Sequence, residues 1–253
     1  MLFVLQPANA QCKITNTAYN SGEDIKYDLY FNFGIFRARA GNGSLTATES
    51  NYRGINSLKS VMILNTSGLA GNIYSVSDTL TSYVDKNMRP LLFTKEAHEG
   101  GDHSIERQSF TYEGDKINIR TLRNFNGEER FDEVLTTEVC AYDYLSVLSL
   151  IRNMDFSKMK KGERQHIQFV AGKKVVNMYV NYQGITNFKA NDGKRYEVID
   201  LSLTILDDAF TNQKEALKAM LTNDENRVPV MIDTSLNIGS IKAIMKSATG
   251  LRN

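Results

Sequence analysis

The chain has 253 residues and a mass of 28.5 kDa, is 42% hydrophobic and 23% charged, and so has the composition of a globular protein able to bury a core. Its 30 basic and 29 acidic residues leave a net charge of +1, with no surplus to neutralise a phosphate backbone, which argues against a nucleic-acid partner. Apolar runs fall short of the roughly 18 residues a membrane-spanning helix requires, and the two cysteines, Cys12 and Cys140, cannot make a disulfide scaffold, so the core is expected to hold by packing alone.

The first residues carry an expectation about compartment. Met1 to Leu5 is apolar, and Ala8-Asn9-Ala10 is a small-x-small triplet of the kind cut by signal peptidase, which would leave Gln11 first in the mature chain. Residues 1–10 are therefore read as the tail of a signal peptide and residues 11–253 as a single exported domain. A lipid on Cys12 ranks lower, because Gln11 stands where a lipoprotein signal has a small residue. Whether Cys12 is lipidated or pairs with Cys140 stays open, as does the choice between free periplasmic and outer-membrane-associated protein.

From Lys26 onward the dominant period is two. Tyr27, Leu29, Phe31 and Phe33 alternate with Lys26, Asp28, Tyr30 and Asn32, placing four large side chains on one face of a strand. The same period recurs at Ser44 to Thr48, Ser60 to Leu64, Thr79 to Val84, Leu91 to Glu96, Ile105 to Tyr112, Lys116 to Leu122, Arg130 to Thr136, His166 to Val170, Val175 to Tyr182 and Tyr196 to Leu206. Turn residues such as Gly100-Gly101-Asp102, Glu113-Gly114-Asp115 and Asn126-Gly127 separate them, so an antiparallel all-β meander is predicted.

One segment breaks the pattern. From Asp143 to Met154 apolar residues recur with helical spacing behind Asp143, which is available as N-cap. Only Ser146, Ser149, Arg152 and Asn153 interrupt the stripe, so the helix should be buried on more than one side. A long sheet must curl as strand twist accumulates, and a helix in its trough buries both surfaces. The predicted architecture is a curved half-barrel around one buried helix. Lys214 to Leu221 reads as helix or strand; the alternation of Val228, Val230 and Ile232, then of Ile241, Ala243 and Met245, favours a hairpin that continues the meander.

Three passages carry a resemblance. They are Gly22-Glu23 leading to Tyr27, with Gly34-Ile35 and Ala40-Gly41; Asp143 to Ser146 with Ile151-Arg152; and Leu221 to Asp224 with Arg227 to Pro229 and Ile238-Gly239. Together they are similar to an exported bacterial family of unknown function whose fold is related to the periplasmic lipoprotein carrier LolA and its outer-membrane receptor LolB. That resemblance implies a half-barrel around an apolar cavity, which in the carriers holds acyl chains. The chain departs from the carriers in having a single predicted helix and no tryptophan.

Enzymatic signatures are weak. His98 and His103 flank Glu99-Gly-Gly-Asp102, where a hairpin would gather imidazoles and carboxylates, but turns collect the same residues for conformational reasons, and nothing in the sequence brings His166 to them. No serine occupies a nucleophile elbow, Cys140 has no evident histidine partner, and Gly34 and Gly41 lack phosphate-loop spacing and read better as a bend or bulge. Arg152 could meet an anionic head group at a cavity mouth, although a stem covering apolar surface or a partner carboxylate explains it as well. The expectation is a protein without catalytic activity, metal or cofactor. It binds an acyl chain, lipid or lipoprotein through Tyr27, Leu29, Phe31, Phe33, Tyr144, Leu148 and Arg152; the alternative is an assembly module for an envelope protein partner.

Overall fold

The computed structural model describes residues 12–33, 36–68, 75–206, 217–235 and 240–253. The expected signal remnant therefore lies outside the described residues, as does the bend at Gly34. The elements in chain order are β1 (Asp24–Phe33), β2 (Phe36–Tyr52), β3 (Ile55–Thr66), β4 (Val76–Asp85), β5 (Pro90–Glu99), β6 (Asp102–Glu113), β7 (Lys116–Phe125), β8 (Glu128–Thr137), β9 (Ala141–Tyr142), helix α1 (Tyr144–Arg152), β10 (Arg164–Ala171), β11 (Lys174–Lys189), β12 (Arg195–Leu206), β13 (Leu217–Thr222), β14 (Pro229–Ser235) and β15 (Ser240–Thr249). All fifteen strands form one sheet, in which β1 to β8 run outward in order on one side and β15 back to β9 on the other. The protein is all-β with one short helix, as the periodicity predicts.

Twist carries the curl further than a half-barrel, to near closure. Register shifts at Lys26/Tyr27, Leu29/Tyr30, Tyr182/Gly184 and Met220/Leu221 add local bends. The shift opposite Leu29 falls at Ala40-Gly41, where the bulge was expected, and Gly41 is obligatory there because a Cβ would lie 1.9 Å from the Asn65 carbonyl oxygen of β3. At the seam, β10 pairs with β9 for only two residues, Gln168 and Phe169. Beyond that, side chains of β6 and β7 reach across: Gln108 Nε2 donates to Val170 O at 3.3 Å, and Thr121 Oγ1 to Gly172 O, just past β10, at 2.9 Å. Side-chain donors thus cover an edge that would otherwise invite another strand.

The C-terminal segment resolves as strands, with Pro229 at the first position of β14 and beside a register shift, where a missing N–H does least damage. Helix α1 spans nine residues, shorter than the apolar stripe, and lies inside the barrel with Leu145 through Arg152 all buried. Asp143 caps it: Oδ1 accepts from the Leu145 and Ser146 amides at 2.9 Å, and Ser146 Oγ accepts from the Asp143 amide at 2.8 Å. Composition suggested a core held by packing alone, and the structure corrects this. Cys12 and Cys140 form a disulfide that fastens the N-terminal segment to the strand entering α1.

Candidate functional site

The barrel interior divides into two halves. The lower half, below the first turn of α1 and toward the start of β1, is closed. Leu148, Leu150 and Ile151 pack there with Ile25, Tyr27, Leu29 and the inward residues of β11 to β13. Between the helix and Tyr19, Leu45 and Ala47 a void of only about 10 Å³ remains, room for no more than a water molecule. At the helix C-terminus Arg152 Nη1 and Nη2 donate to the two Glu23 carboxylate oxygens at 2.7 Å each, and Nη2 also donates to Asn226 O at 2.9 Å. The guanidinium stacks on Tyr19 at 4.3 Å, and the two side chains of the ion pair are 2% and 1% exposed. Arg152 is therefore held in a clasp whose partner is a carboxylate of the chain itself, while an open pocket of about 510 Å³, lined by Arg152, Glu225, Arg227 and Arg252 among others, lies at this end of the helix.

The other expected ligand-binding residues separate along the barrel axis. Tyr27 and Leu29 are core residues of the closed half, and Tyr27 donates its hydroxyl proton to Pro229 O at 2.9 Å. Leu148 is also buried in that core. Phe31, on the same inward face two residues beyond Leu29, is 36% exposed. Phe33 ends β1, and its side chain is outside the described residues. Tyr144 sits at the top of α1 between Phe93 of β5, centroids 5.6 Å apart, and Phe169 of β10, at 4.8 Å and edge-on, yet retains 42% exposure. The ring is thus packed between strands from the two sides of the seam and remains accessible. Burial, reinforced by Glu106 and opposed by Arg123, pushes its phenol up to about 12.

Periodicity pointed to an apolar trough, but one wall of the upper half is charged. Asp78 of β4, Lys95 and Glu99 of β5, Glu106 of β6 and Arg123 of β7 occupy inward positions, in register with Leu80, Phe93, Gln108 and Thr121. Lys95 Nζ lies 3.6 Å from Asp78 and 3.3 Å from Glu99, and Arg123 Nε lies 3.5 Å from Glu106. Asp78 is pushed up to about 6, chiefly by burial, with Lys95 pulling it down and Glu99 pushing it up. The signal was present: Lys95 is two residues from both Phe93 and Ala97, on the face those residues commit to the core. The facing wall, built from Phe31, Leu203, Leu217 and Ile232 among others, is apolar. The upper half can thus present methylene-compatible surface on one side and ion pairs on the other.

On the outer face of the β5–β6 hairpin His98 and His103 are direct cross-strand partners, as the hairpin reading required. Their expected carboxylates are elsewhere. Glu99 pairs with Lys95 on the opposite face and Asp102 accepts from Asn126, because the pleat sends alternate residues to opposite sides. Glu96, two residues before His98, is the carboxylate actually beside both rings. His166 lies on β10, against Asn177 and Tyr179.

A family model described as a protein of unknown function, DUF3108, matches residues 26–246. No curated protein matches the chain. Among solved structures the chain is similar to a crystal structure of a beta-barrel-like protein of the domain of unknown function DUF1849 from Brucella abortus, with a TM-score of 0.65 and 10% identity over 93% of this chain and all of that one. A protein with a YmcC-like fold from Bacteroides fragilis aligns over 93% of this chain and 99% of its own, with a TM-score of 0.31 and 8% identity. The Brucella likeness supports the barrel-like fold.

Proposed function

The chain belongs to the DUF3108 family, and on that footing we propose that it is an exported cell-envelope protein that binds the acyl chain of a lipid or lipoprotein in the upper half of its barrel, without catalysing a reaction. The observation that carries this reading is Tyr144, a large aromatic ring flanked by Phe93 and Phe169 and still 42% exposed, a combination that a filled core does not produce. Phe31 extends the accessible apolar surface along β1. The ion pairs of β4 to β7 on the facing wall suit an amphiphile whose polar end lies against Lys95 or Arg123 while its chain lies against β1 and the strands beyond it. Export draws support from the Cys12–Cys140 disulfide, since such bonds persist in oxidising compartments, and from the cleavage-like triplet at Ala8-Asn9-Ala10. Kinship with the lipoprotein carriers is part of the same proposal.

Titration of purified protein with fatty acids from octanoate to stearate tests it. Each buried methylene contributes about 0.8 kcal/mol, roughly fourfold in affinity, so affinity is expected to climb with chain length until the interior is filled. Phe31→Glu should abolish that climb while leaving the fold intact. Affinity that is flat with chain length, or unchanged in Phe31→Glu, overturns the reading and moves an envelope protein partner to first place.

A further inference from the structure

We propose that Glu96, His98 and His103 form a binding site for a divalent transition-metal ion of the zinc class on the outer face of the β5–β6 hairpin. The site is independent of the barrel interior. His98 and His103 occupy the same rung of the ladder, and their rings lie face to face, with centroids 4.3 Å apart and planes 6° apart. Their Nε2 atoms converge on one oxygen, Glu96 Oε1, at 3.7 Å and 3.2 Å. Three such ligand atoms, all within 4.8 Å of one another, are close to the spacing a tetrahedral ion demands. Zinc bound at about 2.0–2.1 Å to each ligand separates them by about 3.4 Å. Glu96 and His98 are exposed and His103 half-buried, so the small rotations that would unstack the rings and turn their lone pairs to one point meet little packing resistance.

The backbone beneath the ligands is held from the side. Asn126, in the turn between β7 and β8, accepts the His103 amide proton on Oδ1 at 2.7 Å and donates its own amide to His103 O at 2.8 Å. Asn126 has φ 52° and Gly127 φ 82°, the left-handed pair of a tight hairpin, and Asn126 Nδ2 also donates to Asp102 at 2.9 Å. The rung carrying His103 is therefore fixed by the β7–β8 turn, and only side-chain torsions remain to be ordered by an ion. Two imidazoles with one carboxylate select borderline metals over calcium or magnesium, which take all-oxygen shells. With three protein ligands, one tetrahedral position is left for water or for a group from another molecule.

Isothermal titration of tag-free protein with Zn2+ is expected to show one ion per chain, with a dissociation constant on the order of micromolar, and no heat with Mg2+. In proton NMR the ring signals of His98 and His103 should shift together and saturate at the same stoichiometry, while those of His166 stay in place. His98→Gln and His103→Gln should each weaken binding by at least about tenfold, and Glu96→Gln by a comparable factor; His166→Gln should bind as the parent does. Thermal melting without metal checks that the variants keep the fold, as exposed substitutions on a paired hairpin should. Absence of saturable uptake by the unmodified protein overturns the proposal. So does uptake that survives His98→Gln and His103→Gln together, or that follows His166.

Discussion

The two halves of the barrel use charge in opposite ways. In the lower half the ion pair of Glu23 with Arg152 is bidentate, capped by a third acceptor and cut off from solvent. In the upper half Asp78, Lys95, Glu99, Glu106 and Arg123 make pairs of 3.3–3.6 Å, and Lys95 and Arg123 stay 28% and 41% exposed. A closed pair with ideal geometry positions backbone elements: it ties the residue entering β1, the end of α1 and the β13–β14 turn together. Looser pairs beside accessible aromatic rings hold nothing so firmly, and leave their charged groups partly exposed. Polarity that ties elements together and polarity that stays accessible are thereby separated along one axis.

Breaking the clasp should give the largest effect. Glu23→Leu leaves the Arg152 guanidinium buried without its carboxylate and is expected to destabilise the fold by about 3–5 kcal/mol, read from denaturant midpoints. The double variant Glu23→Leu/Arg152→Met should recover much of that loss, because no uncompensated charge remains. A single variant within about 1 kcal/mol of the parent, the range of an exposed pair, would remove the contrast between the halves. Within α1 the contrast sharpens to one side of a turn. Leu148→Ala or Ile151→Ala is expected to cost about 2–5 kcal/mol in transfer and cavity terms, whereas Tyr144→Ala gives up little beyond its ring contacts, about 1 kcal/mol. Equal losses at Tyr144 and Ile151 would mean that the upper half is as closed as the lower.

What the sequence made legible follows from what repeats. Period-two alternation exposed the strands and helical spacing exposed α1, and Asp143 performs the capping its position implied. The barrel's near closure was not legible, because it depends on bulges and on Gln108 and Thr121 reaching β10, contacts between residues more than fifty positions apart. The Cys12–Cys140 bond escaped for the same reason. The passages that carry the family resemblance, around Glu23, Arg152 and Leu221 to Pro229, converge on the clasp. Thr222 Oγ1 accepts the Val228 amide at 2.8 Å, and Asp224 Oδ1 accepts from the Asn226 and Arg227 amides. Those motifs mark the clasp end, where Arg152, Glu225 and Arg227 also line an open pocket, and none of them marks the upper half. Tyr144 and Phe31 emerge as accessible only when both walls of the barrel are in place.

The smallest effect, and the most diagnostic of the upper half, concerns Asp78. Its carboxyl is raised from 3.8 to about 6, first by burial and then by Glu99, against the pull of Lys95. Between those values the folded chain holds a proton that the unfolded chain has released, so stability is fully present below about 4 and declines as pH rises through about 6. Asp78→Asn is neutral throughout and loses this slope. It should match the parent near pH 4 and melt higher at pH 7, by about 0.5–1 kcal/mol once solvent screening around the partly exposed Lys95 is allowed for. Thermal melts at the two pH values decide the matter. A variant less stable than the parent at pH 7 would show that the Asp78–Lys95 pair repays its desolvation, making this wall a second clasp instead of a surface held ready for a ligand.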